Sequence, residues 1–311
     1  MEKVKKIVGI FLVVSLIFIS ACSKQSANGE NNDGKIIVTT TIGQIADAVK
    51  HIGGEKVAVN SLMGPGTDPH LYKATQGDIS KLEKADIIFY SGLHLEGKML
   101  DVLERINKTK PTHAIAEAID KNSLLSANGG SYAYDPHVWF DINLWKQALV
   151  EVQNGLIEID PDNKDYYEKN AQSYFKQLDD LQAYAADEMT QIPDEQRVLV
   201  TAHDAFGYFG KAFDMEVMGL QGLSTDSEYG LGDVQNLVDT LVERNIKAVF
   251  VESSISERSI NAVIEGAKKK GHEVKNGGEL YSDAMGEEGT DEGTYIGMYK
   301  HNVKTIAESL K

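Results

Sequence analysis

The tripeptide Asp-Pro-His occurs twice, as Asp68-Pro69-His70 and as Asp135-Pro136-His137. Proline fixes its own φ near about −65° and pushes the residue before it toward extended backbone. A histidine beside so stiff a dipeptide loses little freedom when it coordinates a cation. Two further candidates stand downstream, His203 in Thr201-Ala202-His203-Asp204 and Asp283 in Tyr281-Ser282-Asp283. Three neutral imidazoles and one carboxylate form a ligand set suited to a divalent transition metal. Any one of these histidines alone is as readily a capping or surface group. The repeated motif raises the set above that reading. His94, just past a strand-like run, is the rival ligand, whereas His51, His113, His272 and His301 sit in helical, loop or surface-like contexts and read as solvated.

The acidic neighbours have two readings each. Asp68, Asp135 and Asp204 adjoin the candidate histidines. They either accept from the imidazoles and orient them, or cap backbone N–H groups of their own loops. Glu252 closes Val249-Phe250-Val251-Glu252 and either faces a cleft or caps the helix expected from about Ser256. Trp139 and Trp145 follow the second motif closely and are expected to pack beneath it.

The N-terminus indicates where the chain works. Met1-Glu2-Lys3-Val4-Lys5-Lys6 is basic, and Ile7 to Ile19 is an almost unbroken apolar run. That run is shorter than the roughly 20 residues of a spanning helix and ends in small residues, as a secretory signal does. Ile19-Ser20-Ala21-Cys22 matches the bacterial lipobox, and Cys22 is the only cysteine. Residues 1–21 therefore read as a lipoprotein signal peptide and Cys22 as the lipidated residue of an extracytoplasmic, membrane-anchored protein. Acylation would leave no thiol for disulfides, metal binding or catalysis. Residues 22–34, polar and glycine-containing, read as a flexible tether. The formal charge of −16 becomes −18 once three lysines and one glutamate leave with residues 1–21. So acidic a surface argues against nucleic acid or an anionic membrane surface as a partner.

The elements that must position the candidates alternate between strand and helix. β-Branched or apolar runs at 35–41, 57–63, 85–90 and 112–117 read as strands, with helices at 42–52, 75–84 and 95–107 between them. This alternation predicts a parallel sheet covered by helices, with ligands at the carboxyl edge of the strands. Helical spacing resumes at 141–158 and again from Pro161 to about Gln191, with no further glycine or proline in the second stretch. The second stretch reads as a strut joining two lobes. Beyond Pro193, strands are expected at 197–201, 215–220, 247–252 and 272–276, and helices at 205–213, 233–244, 256–270 and 295–310. The expected organisation is thus an N-terminal α/β lobe at 35–160, a connecting helix at 161–192 and a C-terminal α/β lobe at 193–311. Each lobe offers two candidate ligands to a cleft between them.

These motifs together resemble one family. The lipobox, both Asp-Pro-His motifs (the second extended as Asp135-Pro136-His137-Val138-Trp139-Phe140-Asp141), the run Thr201 to Phe209 and Ser282-Asp283 are similar to the metal-specific class of ABC-transporter solute-binding lipoproteins. This class, which includes pneumococcal surface adhesin-like proteins, receives manganese, zinc or iron(II), and the resemblance spans essentially the whole chain after the signal. It implies two α/β lobes bridged by one long rigid helix, with the metal between His70 and His137 of one lobe and His203 and Asp283 of the other. Many manganese receptors of the class carry glutamate where this chain has His203. The resemblance further implies a monomer anchored by lipid, partnered by permease subunits and, through them, a cytoplasmic ATPase.

Two other classes fit the sequence less well. A secreted zinc hydrolase is disfavoured, because the chain has no His-Glu-x-x-His helix and no Gly-x-Ser-x-Gly elbow. A surface adhesin would call for an adhesive repeat, and none is present. Zinc receptors of the class often carry a His/Asp/Glu-rich loop before the second histidine motif. Here Asn122 to Tyr134 holds no histidine and no acid, which favours Mn²⁺ over Zn²⁺, with Fe²⁺ behind. The three-histidine set pulls the other way, since zinc binds imidazole at least as tightly.

Overall fold

Strands form where β-branched and apolar residues run together. In the computed structural model, which describes residues 34–127, 133–226 and 229–311, Ile36–Thr40 is β1, Val57–Ser61 is β2, Ile87–Tyr90 is β3 and Thr112–Ala114 is β4. The signal segment, Cys22 and all of the tether except Gly34 lie outside the described residues. All pairings in this first sheet are parallel, in the order β2-β1-β3-β4. Helices Gly43–Gly53 (α1), Gln76–Lys84 (α2) and Leu100–Asn107 (α3) make the crossovers. α3 starts later than its apolar spacing suggests. Gly92, Leu93 and His94 all take left-handed backbone, with φ of 84°, 52° and 67°, and so cannot continue a helix. The buried Glu96 carboxylate closes that turn by accepting from the N–H groups of Ser91 and Gly92 at 2.7 and 3.1 Å.

The second half is built from two parallel ladders where a single sheet was expected. Val198–His203 (β5) pairs with Glu216–Gln221 (β6), Ala248–Glu252 (β7) pairs with Lys275–Leu280 (β8), and β5 packs beside β7. The helices are Gly207–Phe213 (α6), Leu231–Glu243 (α7), Arg258–Lys269 (α8) and Tyr295–Leu310 (α9). The last strand lies three residues later than expected and runs through Gly277 and Gly278. Those glycines permit close packing and do not stop the strand, since a Cβ on Gly277 would sit 2.6 Å from the Phe250 ring.

Between the halves come Ile142–Ile159 (α4) and the long helix Lys164–Met189 (α5). At 1.5 Å per residue α5 is about 39 Å long. Its buried residues, Tyr167, Ala171, Tyr174, Leu178, Leu181, Ala185 and Met189, recur every three or four positions and make one apolar stripe. That stripe packs on α1 and α4 of the first half and on α9 from the end of the chain. One core runs from the first sheet through α4, α5 and α9, and a smaller cluster fills the space under β5, β7, α7 and α8.

A polar node fastens these helices. Asp47 of α1 is buried and accepts from Tyr174 Oη of α5 at 3.0 Å and from the Tyr295 N–H of α9 at 3.3 Å. His51 stacks on Tyr174 with centroids 4.2 Å apart, so it is packed and not solvated as expected. Tyr174→Phe keeps the apolar stripe but removes one donor from a buried carboxylate, and should cost about 1–3 kcal/mol in denaturant titrations. Lys176→Ala, on the exposed face of the same helix, should stay within about 0.5 kcal/mol of the parent.

Candidate metal centre

Three of the four candidate ligands stand at or beyond a strand end, and His137 opens a 3₁₀ turn. His70 follows β2 through a loop in which Gly66 takes φ of 68°. Asp68 Oδ1 accepts from the His70 N–H at 2.9 Å and fixes the backbone of that turn. The second motif repeats the device, with the His137 N–H donating to Asp135 Oδ1 at 2.9 Å. His137 then enters a 3₁₀ turn, Val138–Phe140, whose aromatic residues are buried. His203 is the last residue of β5, and its N–H donates to Glu252 Oε1 at the end of β7 at 2.8 Å. Asp283 stands in the turn after β8. The four side chains meet in the interior, exposed by 2%, 0%, 0% and 1% in chain order.

Their donor atoms lie within 4.8 Å of one another. His70 Nε2 is 3.3 Å from His137 Nε2. Asp283 Oδ1 is 3.4 Å from His137 Nε2, and Asp283 Oδ2 is 3.3 Å from His203 Nε2 and 3.6 Å from His70 Nε2. For metal–nitrogen bonds of about 2.1 Å, the edge of a tetrahedral donor shell is about 3.4 Å. The observed spacings match that edge. Asp283 Oδ1 and Oδ2 and His203 Nε2 are buried, lack a well-formed hydrogen bond and converge on a common centre. The groups present fit a divalent cation bound by three imidazoles and a carboxylate that offers both oxygens.

Carboxylates behind two of the rings fix which nitrogen faces inward. His137 Nδ1 donates to Asp135 Oδ1 at 2.7 Å, and His203 Nδ1 donates to Glu252 Oε2 at 2.5 Å. A neutral ring that donates from Nδ1 keeps the Nε2 lone pair free for metal. His70 differs, because its Nδ1 has no partner among the described residues.

Electrostatics separate the three rings further. Burial pushes His70 down to about 3, against the opposing pull of Asp283, so it is neutral at physiological pH. Burial would also lower His137, but Asp135 and Asp283 outweigh it and raise that ring to about 9. The same contest, with Glu252 and Asp283 prevailing over burial, lifts His203 well above the ordinary range. Burial alone would raise Asp283, yet the three histidines around it hold it well below the usual carboxylate range. Without metal, His137 and His203 are thus held toward the protonated form and His70 toward the neutral one.

The remaining expected residues fall into place as follows. Asp135 and Glu252 accept from the His137 and His203 rings. Asp68 accepts from backbone and, across the two halves, from Thr225 Oγ1 at 2.6 Å, and it touches no ring. Among the described residues no imidazole donates to Asp204, whose carboxyl is raised by burial first and by Asp135 next. His94 is exposed and outside the cluster. His272, expected at the surface, is buried with Nε2 2.7 Å from the Ile246 carbonyl, because the left-handed turn at Gly271 folds it back against the start of β7. His113 is likewise not free, pairing with Glu151 at 2.8 Å from β4, and His301 Nε2 lies 3.0 Å from the Glu279 carbonyl. Trp139 packs edge-on against His137 at 5.3 Å, whereas Trp145 stacks on Tyr295 and lies away from the ring. Residues not anticipated include Thr225 and Tyr208, whose Oη donates to the Asp135 carbonyl at 3.0 Å. Nothing in their local sequence marks them, since their partners lie 157 and 73 positions away.

The pKa pattern sets the pH dependence of metal binding. Because His137 titrates near about 9 without metal and His203 above its ordinary range, binding at neutral pH should release about two protons. Affinity should then rise about a hundredfold per pH unit between pH 6 and 7, and keep rising toward about 9 instead of levelling off above the ordinary histidine value of about 6.5. The metal-free fold has the opposite slope. Folded values above the unfolded ones stabilise it fully below about 6.5 and lose that stabilisation as pH climbs through about 9. Calorimetry in buffers of different ionisation enthalpy counts the protons, and a binding curve flat above about pH 7 would contradict the assignment.

The sequence pattern of the family described as "Zinc-uptake complex component A periplasmic" matches residues 38–309. The manganese-binding lipoprotein MntA of Bacillus subtilis is 57% identical over 293 residues, covering 94% of this chain and 95% of that one. The zinc-binding protein TroA of Treponema pallidum is 47% identical over 278 residues, covering 89% and 90%. The manganese ABC transporter substrate-binding lipoprotein scaA of Streptococcus gordonii is 30% identical over 97% of both chains. The solved periplasmic zinc-binding protein TroA of T. pallidum superposes with a TM-score of 0.87 at 46% identity, over 89% of this chain and 99% of that one. This chain thus shares that structure's fold, parallel sheets flanked by helices with a long joining helix, and within it holds a buried His/Asp cluster. The chain belongs to the zinc-uptake complex component A family, the solute-binding components of metal ABC transporters, which bind and deliver their solute and do not transform it.

Proposed function

We propose that this protein is the extracytoplasmic receptor of a metal importer, capturing one divalent transition metal with His70, His137, His203 and Asp283 and passing it to the permease. The observation that carries the reading is the convergence of four buried donors, spaced like the edges of a metal shell, from chain segments 213 positions apart at their extremes. Residues 35–160 and 193–311 act as the two lobes, and 161–192 as the helix that limits their relative motion. Because each lobe brings two ligands, a complete shell depends on their relative placement, and the permease can sense occupancy through it. Mn²⁺ is the favoured cargo, Zn²⁺ the next and Fe²⁺ the third. The name of the 57%-identical relative and the histidine-free, acid-free loop at 122–134 support manganese, while the three imidazoles suit zinc. Metal analysis of protein purified from its own host distinguishes them.

Residues 1–21 serve as the signal and Cys22 as the lipid-bearing N-terminus of a monomer tethered to the outer face of the cell membrane. No helix among the described residues is long and apolar enough to cross a membrane. Cys22→Ala should move the protein from the membrane to the soluble fraction with an unchanged melting temperature. Retention after a high-salt wash would refute the anchor.

His203→Ala removes one ligand and leaves Glu252 without its ring. Since a ligand binding only the folded state stabilises it by RT ln(1 + [L]/Kd), each hundredfold loss of affinity lowers metal-induced stabilisation by about 2.7 kcal/mol. His94→Ala, at the exposed rival position, should keep the full shift. Thermal melting with and without metal reads both, and the reverse ranking would refute the site.

A further inference from the structure

The turn that carries Asp283 is held from both sides. Its first residue, Tyr281, is tied to its own half, donating its N–H to Asn302 Oδ1 at 2.9 Å and accepting from Asn302 Nδ2 at 2.7 Å. The next two residues are tied to the other half. Gln44, fully buried in the first turn of α1, donates from Nε2 to the carbonyls of Ser282 at 3.4 Å and Asp283 at 3.1 Å. Trp139 donates from Nε1 to the same Ser282 carbonyl at 3.1 Å. Both targets are carbonyls, so the Gln44 amide nitrogen must face them, and its oxygen is left buried without a partner. A buried unpaired acceptor is costly, and the orientation is set by what the nitrogen holds.

From this geometry we infer that Gln44 and Trp139 are positioning residues that place the Asp283 carboxylate in the frame of His70 and His137, and thereby set how far the site prefers Mn²⁺ over Zn²⁺. The inference rests on the metal-receptor reading above. Trp139 stands two residues after His137, so one short 3₁₀ turn carries a ligand and also clamps the carboxylate supplied by the other half. Manganese favours oxygen donors, whereas three imidazoles already satisfy most of what zinc requires. Loosening Asp283 therefore removes a larger share of the Mn²⁺ shell than of the Zn²⁺ shell.

The test measures Mn²⁺ and Zn²⁺ affinities of the full chain by competition with a chelator, alongside metal-free melting. Gln44→Met keeps the volume and removes the donor, and Trp139→Phe keeps an aromatic ring but removes the N–H together with part of the ring volume, a packing loss that the metal-free melting reads separately. Each should weaken Mn²⁺ about tenfold or more while Zn²⁺ changes less than about threefold, in line with the usual effect of groups behind a ligand. Asp283→Ala supplies the reference shift of the Mn²⁺/Zn²⁺ ratio, and both variants should move the ratio the same way. Equal weakening of both metals, or an unchanged ratio in variants that fold, would overturn the inference and leave the receptor reading intact. An unaltered protein that binds neither metal would overturn both. If Gln44→Met does not fold, the ratio in Trp139→Phe decides alone.

Discussion

Three imidazoles and a carboxylate have to be held together in a dry interior, and the rest of the structure depends on that constraint. Burying unpaired polar atoms is unfavourable, and burying charge is more so. Asp135 and Glu252 offset this by standing behind His137 and His203, where they can stabilise two displaceable protons as well as a divalent cation. His70 has no such partner, and burial keeps it neutral.

Holding such a cluster requires rigid surroundings. Parallel sheets supply it, because every crossover brings the chain back to the same edge and places successive loops side by side. The halves are then joined by direct bonds. Tyr295 Oη donates to the Trp139 carbonyl at 2.6 Å and Tyr299 Oη to the Phe140 carbonyl at 2.9 Å, while Phe140 stacks on Phe206 at 4.4 Å. Together with the stripe of α5, these contacts tie the two halves at several points. Small rearrangements at the ligands suit such a frame better than wide opening.

Much of this was legible in the sequence, and for physical reasons. A β-branched run such as Ile36–Thr40 is a strand wherever it lies, and the Pro-stiffened Asp-Pro-His turns are local, so the succession of strands in the first half and the four candidate ligands could be read from the sequence. The misplaced features depend on distant packing. Gly277 and Gly278 resemble a stop signal unless the Phe250 ring they accommodate is known. His272 resembles a surface residue until the Ile246 carbonyl is seen above it. Asp68 and Asp135 occupy identical tripeptides, yet only Asp135 reaches a ring, because the rotation of each imidazole is set by tertiary neighbours. Gln44 has no sequence signature at all, since its partner lies 239 positions away.

Anomalous diffraction from crystals of the manganese-loaded protein tests the central claim most directly. The account predicts a single strong peak within bonding distance, about 2.0–2.2 Å, of Nε2 in His70, His137 and His203 and of the Asp283 carboxylate. A peak elsewhere, or one bonded to fewer than two of these histidines, would contradict it.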